Sequence, residues 1–494
     1  MTFLSMKFFI ILFFCLIVYY ILPVKFRWIA LLAASVVFYL LGGKKITAVI
    51  LVTAAFAYFA AIRIEKSRER GDEKSRQKLY MAIGILVLLG ILACTKISSY
   101  LEIGVGLIIV PVGISYYTLS LVGYILDVYW KKDKAEKNFL HFLTFVMFFP
   151  KILQGPISSH KVVGAQLIEG HKFDYREFCF GAQLIIWGMF KKVVLADRMS
   201  IFTSSVYANP SAETGAILLV TMILSALQLY CDFSGYTDIA LGVAQMFGIQ
   251  LEQNFNHPFF AKSASEWWQR WHMTLSGWFK DYLFLPVSRS KAVKNLSRKM
   301  GEKHGPSARK KTMIAISSAV VWLATGLWHG TGINYIVWGA YWGTIIILSE
   351  IFSAQLEKLN NLLHIKTESF AWKLFQMLRT GLIFIVGKMI SAQDSLADVG
   401  NIIHNIFANF KLESLSTITE KGLAGYDFGI LIVGMLIILI VSIQQEKGIV
   451  IRERIAEWPD IIRWTFFPVA LTVIILLGVY GLGYDTSGFA YQYF

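Results

Sequence analysis

Apolar runs recur along almost the whole chain and are separated by short charged segments. A helix that crosses the hydrocarbon core of a membrane needs about 20 apolar residues, and most of the runs approach that length. The pattern therefore predicts an all-α polytopic integral membrane protein with about 11–14 membrane helices, short or re-entrant ones included. The runs lie at 8–22, 28–41, 46–62, 79–94, 104–126, 139–149, 177–190, 214–230, 236–251, 312–328, 334–350, 374–390, 428–443 and 464–483.

Composition agrees with this class and argues against a soluble protein. Of the 494 residues, 56% are hydrophobic and only 16% are charged, and the mean hydropathy is +0.57. The net charge of +15 raises nucleic-acid binding as an alternative. In a membrane protein, however, excess Lys and Arg is typical of cytoplasmic loops beside anionic lipid headgroups. We therefore expect membrane lipids, and no nucleic acid, among the partners.

The basic segments predict the orientation of the chain. Residues 63–78, 131–137, 288–311 and 444–463 each carry several Lys or Arg, whereas 391–427 carries two Lys among several acids. By the positive-inside rule the first four segments are cytoplasmic and the last is external. Counting spans between them places both termini on the external side.

One stretch, 252–287, does not read as a membrane span. It is rich in Trp and Phe but is interrupted by charges every few residues, which predicts amphipathic helices at the cytoplasmic interface. Because no repeat or linker divides the chain, we expect one integral-membrane domain, 1–494. Its parts are N-terminal spans 1–111, a core 112–350 with the interfacial helices 252–287 and a cytoplasmic basic loop 288–311, and C-terminal spans with an external aromatic tail, 351–494.

His329 is an ionisable residue inside an apolar run, in the sequence GLWHGTGINYIVWG. It lies eighteen residues after Lys311, roughly 27 Å along a helix, which places it toward the outer side of the membrane. A titratable group is costly in lipid unless it lines a cavity, and Gly326, Gly330 and Gly332 would let a ligand approach the backbone. The alternative is a polar residue at the end of a loop, in contact with water.

A second histidine, His272, lies in WWQRWHMTLSGW, sixteen residues before the basic loop and therefore near the cytoplasmic face. The alternative here is an interfacial histidine among anchoring tryptophans. Taken together, the two histidines fit the two mouths of one tunnel.

Two carboxylates, Asp232 and Asp238, stand beside the apolar runs in YCDFSGYTDIALG. Acids inside a membrane must find partners, so both a helix-to-helix contact and a functional role are open. Gly235 between them predicts a break between two short helices. The four cysteines show no metal-binding or disulfide spacing, and the nine histidines show no repeated ligand spacing, so no metal is expected.

Five motifs follow one another between about residue 112 and residue 343: GISYYTLSLVGYILDVY, FFPKILQGPI, YCDFSGYTDIALGVAQMFGI, NFNHPFFAKSASEWWQRWHMTLSGWFKDYLFLPV and GLWHGTGINYIVWGAYWG. In this order they resemble the membrane-bound O-acyltransferase family, and within it the bacterial branch that is similar to alginate O-acetyltransferases. The resemblance implies a ring of helices around a central tunnel. It also implies that His329 is the catalytic histidine and His272 the second functional histidine, with Asp232, Asp238, Trp328 and Asn334 as supporting residues of the tunnel.

The C-terminal sequence FAYQYF is similar to an aromatic ending of the type F-x-Y-F-x-F, which is found in this branch and in the small partner of teichoic-acid D-alanylation systems. The resemblance implies that the tyrosine of this ending carries the acyl group. Tyr491 aligns with that tyrosine, while Gln492 and Tyr493 depart from the pattern. The alternative is an aromatic tail that docks at the membrane interface.

The resemblance implies an O-acyltransferase of the bacterial cytoplasmic membrane. It would move an acyl group, most simply acetyl, from a cytoplasmic thioester across the membrane to an extracellular or cell-wall polysaccharide. An extracytoplasmic acyltransferase of the SGNH type is the expected partner, acetyl-CoA or another acyl thioester the donor, and no bound cofactor is expected. Arg289, Lys291 and Lys294 are expected to bind the phosphates of the donor.

Two other functions stay open. One is D-alanyl transfer to teichoic acid, fed by an acylated carrier protein. The other is transport of a lipid or glycan without acyl chemistry, which broken helices and intramembrane carboxylates would also suit.

Overall fold

The computed structural model of the protein describes residues 4–100, 113–152 and 155–479. These ranges contain no β-strand longer than an isolated bridge between Phe255 and Trp271. The described α-helices are α1 (Met6–Ile21), α2 (Arg27–Gly42), α3 (Lys44–Glu69), α4 (Lys74–Tyr100), α5 (Ile114–Tyr129), α6 (Phe139–Met147), α7 (Phe149–Ile152), α8 (His160–Glu169), α9 (Tyr175–Met189), α10 (Asp197–Tyr207), α11 (Gly215–Met246), α12 (Ala264–Arg270), α13 (Met273–Phe279), α14 (Leu285–Ser288), α15 (Lys291–His304), α16 (Pro306–His329), α17 (Ile333–Ile351), α18 (Ser353–Leu362), α19 (Phe370–Ala392), α20 (Leu396–Ala408), α21 (Gly425–Glu446), α22 (Ile451–Ala456) and α23 (Asp460–Leu477).

In the described ranges, nine helical segments are long and apolar enough to cross a membrane, and a tenth is obtained if the bent pair α17 and α18 counts as one span. Two shorter apolar helices, Met6–Ile21 and Phe139–Lys151, add to these. The prediction of an all-α, multi-pass membrane protein is confirmed. The nine segments are Val24–Gly42, Lys44–Glu69, Lys74–Ile97, Tyr175–Tyr207, Gly215–Met246, Pro306–His329, Phe370–Ala392, Gly425–Glu446 and Asp460–Leu477.

The predicted break at Gly235 is wrong, because the runs 214–230 and 236–251 belong largely to one 32-residue helix, Gly215–Met246. Gly235 serves helix packing instead. A Cβ atom at this position would lie 2.8 Å from the carbonyl oxygen of Gly188, closer than side-chain atoms approach. A glycine that allows close contact between two helices and a glycine that ends a helix look alike in a sequence.

The segment 288–311, expected to be a loop, is mostly the amphipathic helix α15. Ser290 caps its N-terminus by accepting a hydrogen bond from the backbone N–H of Val293 at 3.3 Å. Gly305, with φ +89°, ends the helix, and Pro306 begins α16 directly afterwards. The high content of Lys concealed the helix in the sequence, because only Val293 and Ser297 are buried.

The chain divides into two compact units. The first comprises Met1–Val194, Cys231–Gln253 and Ile449–Phe494, and the second Leu195–Tyr230 and Asn254–Gly448. Both candidate catalytic histidines belong to the second unit, whereas Asp232 and Asp238 belong to the first. The single domain expected from the sequence stays a prediction, as does the central tunnel.

Candidate active site

His329 is the last residue of α16, at the turn that leads into α17. The space beside the glycines around His329 is filled by atoms of α17. A Cβ on Gly326 would lie 2.6 Å from the carbonyl oxygen of Tyr335, and one on Gly330 would overlap the Tyr335 ring. One on Gly332 would meet the side-chain oxygen of Asn334. The expectation that these glycines admit a ligand to the backbone is therefore wrong: they let the two helices approach each other.

Two indole rings enclose the His329 imidazole, which is buried. The ring of Trp328 lies 4.8 Å away and that of Trp338 4.7 Å away, both edge to face. Trp338 in turn contacts Trp268 and Trp322, at 5.8 and 6.1 Å between ring centres. Such an environment has few polar groups to screen a charge, so electrostatic interactions with a reacting molecule are strengthened.

His272 lies at the N-terminal cap of α13 and is only 2% exposed. Its backbone is left-handed, with φ +45°, a conformation that only a few per cent of non-glycine residues adopt. The left-handed residue turns the chain sharply between α12 and α13. It thereby brings the imidazole back onto the segment that contains Asn254.

Asn254 fixes the proton on the His272 ring. Its side-chain oxygen accepts hydrogen bonds from the backbone N–H and the hydroxyl of Thr274, at 3.2 and 2.7 Å. Because a backbone N–H can only donate, this atom is the amide oxygen, and the His272 Nδ1, 3.1 Å away, must donate to it as well. In the neutral ring the lone pair is then on Nε2.

Burial lowers the pKa of His272 to about 3, from an ordinary value of 6.5. The ring is therefore neutral at physiological pH. It can accept a hydrogen bond from a substrate, but with this pKa it does not hold a proton at neutral pH. The sequence alone does not indicate this, because the partner Asn254 lies eighteen residues away, on the other side of α12.

Acidification is expected to destabilise the protein through His272. In the unfolded state His272 binds a proton below about pH 6.5, whereas in the folded state it binds one only below about pH 3. Protonation between these values therefore favours unfolding, so the free energy of unfolding is unaffected above pH 6.5 and falls as the pH is lowered. Its slope approaches about 1.4 kcal/mol per pH unit. Unfolding of detergent-purified protein between pH 7 and pH 4 measures it. We expect a smaller slope in His272→Asn, which tolerates the left-handed backbone, and an unchanged slope in His404→Asn, at an exposed position. Equal slopes in both variants would contradict the assignment.

One indole connects the two histidines. The ring centre of Trp328 lies 6.4 Å from that of His272 and 4.8 Å from that of His329. The expectation that the histidines mark two separate mouths is therefore wrong, since both contact the same side chain within one unit. The helical rise from Lys311 to His329 holds, because α16 is one continuous helix from Pro306 to His329. The placement of His272 failed, because α12 and α13 bring it back to Trp328 at the end of α16, which a count along the chain does not reveal.

The two supporting residues predicted beside His329 are both buried. Trp328 separates the imidazoles, as described. Asn334, in the first turn of α17, donates a hydrogen bond from Nδ2 to the backbone carbonyl of Gln393 at 2.7 Å, immediately after α19. The amide thus holds the turn after His329 against a third helix.

The predicted residues Asp232 and Asp238 form ion pairs within the first unit, and the Asp232 side chain is buried whereas that of Asp238 is 21% exposed. Lys192 Nζ lies 2.7 Å from Asp232, and Lys191 Nζ lies 2.7 Å from Asp238 and 2.9 Å from the hydroxyl of Ser234. Sequence reasoning required partners for these acids but did not identify the two lysines. They lie in a π-helical turn, Phe190–Ala196, inside an otherwise α-helical span.

Two glycine pairs hold the helices that carry these ions together. A Cβ on Gly181 would lie 2.5 Å from the carbonyl oxygen of Gly242, and one on Gly242 would lie 2.5 Å from that of Gly181. Gly188 and Gly235 meet in the same way one spacing of seven residues further along. Backbones in such direct contact leave no space for side chains, so the close approach of α9 and α11 depends on glycine at each position.

Of the three basic residues expected to bind the donor, two line a common cavity. It has a volume of about 420 Å³ and lies among α14, α15 and α16. Lys291 is not among its lining residues, whereas Arg298 and Arg309, which the sequence did not single out, are. The lining residues are Ser288, Arg289, Lys294, Asn295, Ser297, Arg298, Arg309 and Met313.

In the part of the chain that the structure describes, no group of three or more His, Cys, Asp and Glu side chains has an arrangement suited to a metal ion. The candidate acyl carrier, Tyr491, lies outside the described residues.

Comparison with known proteins indicates which class of enzyme has a sequence similar to this chain. Residues 133–301 match the sequence profile of the membrane-bound O-acyltransferase family. The chain is 28% identical to a probable alginate O-acetylase of Pseudomonas syringae pv. tomato over 430 residues, 84% of this chain and 76% of the relative.

Two further relatives have other acceptors in their names. A peptidoglycan O-acetyltransferase of Helicobacter pylori is 27% identical over 67% of this chain and 65% of its own length. A teichoic acid D-alanyltransferase of Bacillus subtilis is 29% identical over 49% of this chain and 59% of its own length. The family profile includes His272 and both lysine–aspartate pairs, and it ends before His329. Together with the relatives named as O-acetylating enzymes, which match 84% and 67% of the chain, this similarity identifies the protein as a membrane-bound O-acyltransferase.

Proposed function

We propose that the protein moves an acetyl group from a cytoplasmic thioester, most simply acetyl-CoA, across the bacterial cytoplasmic membrane for O-acetylation of an extracellular or cell-wall polysaccharide. Two relatives named as O-acetylating enzymes support this choice, because they match 84% and 67% of the chain, whereas the D-alanyltransferase matches 49%. The similarity to the O-acyltransferase profile and to named O-acetylating enzymes assigns acyl chemistry to the protein, so the transporter alternative is not retained.

The proposed mechanism rests on one observation: the buried side chains of His272 and His329 both contact the indole ring of Trp328. In the proposed step, His329 accepts the proton of the acceptor hydroxyl as the oxygen attacks the thioester carbonyl. A C–O bond forms, the C–S bond breaks, and the proton passes from the imidazole to the leaving thiolate. If the acceptor hydroxyl is the phenol of a tyrosine, its ordinary pKa is near 10, so it needs such a base at neutral pH.

His272 has a different part in this proposal. Its neutral ring presents a lone pair on Nε2 because Asn254 holds the proton on Nδ1. A hydrogen-bond acceptor fixed in this way can orient the thioester donor by accepting from one of its N–H groups, while the single proton of the reacting hydroxyl goes to His329. Orientation of this kind stabilises the transition state because it needs no rearrangement during the reaction.

Two further elements of the proposal rest on the resemblance. Tyr491 would receive the acetyl group first, as a tyrosyl ester, and an extracytoplasmic acyltransferase of the SGNH type would then transfer it to the polysaccharide. The first step exchanges a thioester for an oxygen ester and releases CoA as the thiol. The second exchanges one oxygen ester for another and restores the Tyr491 hydroxyl, so neither step requires an oxidant or a second energy source.

Incubation of the detergent-purified protein with acetyl-CoA is expected to release free CoA thiol and to add one acetyl group to Tyr491. Thiol release is followed by a colorimetric thiol assay, and the modified residue by peptide mass spectrometry. Tyr491→Phe should lose the modification, while the matched variant Tyr493→Phe should keep it.

Each outcome separates the alternatives. Thiol release without a modified residue would contradict the tyrosyl intermediate and leave direct transfer. Labelling by a D-alanyl carrier protein, with none by acetyl-CoA, would replace O-acetylation by D-alanylation.

A further inference from the structure

The cavity among α14, α15 and α16 has a strongly cationic wall. It is lined by Arg289, Lys294, Arg298 and Arg309. Within the described ranges, Arg298 has one carboxylate partner, Glu302 at 3.7 Å, and both side chains are more than 60% exposed. The other three cations have no carboxylate within 4.0 Å in that same part of the chain. Uncompensated positive charge around a concave surface attracts an anion with several acceptor oxygens, such as a phosphate.

The other wall of the cavity is continuous with an apolar helix face. Arg309 and Met313 lie one turn apart on α16, and both line the cavity. The same face continues as Val320, Leu323 and Leu327, which are 38%, 51% and 52% exposed. These positions follow at intervals of three, four and seven residues, so they form one stripe along the helix. A ligand that satisfies both parts has an anionic head and a long apolar tail.

We propose that the cavity binds the phosphate headgroup of an anionic phospholipid, with its acyl chains along the exposed apolar stripe of α16. The cavity lies at the depth of the lipid headgroups, because α16 begins at Pro306 and the cationic residue Arg309 lies in its first turn, where a membrane span meets the headgroups. By the positive-inside rule this end faces the cytoplasm. The phosphates of a soluble thioester donor share the charge but have no chains to cover the stripe.

This inference changes the role expected for Arg289 and Lys294. They hold a lipid headgroup rather than the donor. The bound lipid would fasten α15 to the start of the helix that ends in His329, the proposed catalytic base. The inference does not depend on acyl transfer, since binding is measured without any donor.

Native mass spectrometry of the full-length protein, titrated in detergent with phosphatidylglycerol, tests the proposal. We expect one phosphatidylglycerol to bind at least about tenfold more tightly than phosphatidylcholine. The double variant Arg298→Ala/Arg309→Ala should lose this preference. The double variant Lys299→Ala/Lys303→Ala removes the same charge from α15 at exposed positions outside the cavity lining, and should keep it.

Several results would overturn the assignment. Equal losses in both double variants would show a general effect of charge, and equal binding of the two lipids would show that the headgroup is not recognised. Displacement of the lipid by CoA or by inorganic phosphate, with loss of CoA binding in the cavity variant, would assign the cavity to a soluble phosphate instead.

Discussion

His329→Ala is expected to lower the rate of acyl transfer by about 10²–10⁴-fold while the protein stays folded. The imidazole is buried between the indole rings of Trp328 and Trp338 at the end of α16, so it is not a solvent-exposed residue at the end of a loop. Removing it deletes the proposed base without deleting a charge, since the step begins with a neutral ring. The loss should therefore appear mainly in kcat rather than in the affinity for the donor.

The rate is measured as thiol release from acetyl-CoA, and folding as monodispersity and thermal unfolding in detergent. His404→Ala is the matched control, because His404 is an exposed histidine of α20 in the same unit. A folded His329→Ala protein with nearly normal thiol release would exclude His329 as the base. Equal losses in both variants would point to a general effect on the preparation.

Breaking the pair Lys192 and Asp232 from one side is expected to destabilise the protein by about 3–5 kcal/mol. The side chains are 2% and 3% exposed, so Asp232→Asn or Lys192→Met leaves the other charge without its nearest counter-ion in a site that water does not reach. Replacing both together, as Lys192→Met/Asp232→Leu, removes the desolvation of two ions at once and should cost far less than either single change.

Unfolding in detergent of the wild type, the two single variants and the double variant forms a complete cycle. Glu457→Gln provides the control, because it breaks a pair with Arg454 whose side chains are 67% and 66% exposed, and should leave the unfolding midpoint unchanged. Additive losses in the double variant would show that the two residues do not stabilise each other.

The sequence predicted the helices better than the contacts between them. Spans follow from local apolar runs, so the class and most segments could be inferred without a structure. Gly235 was misread because a single glycine is ambiguous. A usable signal was nevertheless present, since Gly181 and Gly188 have the same spacing of seven residues as Gly235 and Gly242.

The site was predicted in part. The apolar sequence around Asp232 indicated that this carboxylate needs a partner. It did not indicate that the partner is Lys192, because that lysine lies in a π-helical turn that no local sequence pattern reveals. The shared contact of His272 and His329 with Trp328 depends on how α12 and α13 fold back, which is a property of tertiary packing. The basic segment 288–311 disclosed its charge but not the cavity, because it was expected to be a loop, whereas it folds into α15 and the start of α16, and the cavity lies between these two helices.

The paired lysines also have a consequence for how the chain enters the membrane. Lys192 and Lys191 are synthesised 40 and 47 residues, respectively, before the carboxylates that neutralise them, which corresponds to roughly 2–9 s of translation. An unpaired Lys at the centre of a span costs about 2.5–3.5 kcal/mol on insertion. The span Tyr175–Tyr207 is therefore expected to wait beside the insertion machinery until Gly215–Met246 emerges, and to enter the bilayer together with it.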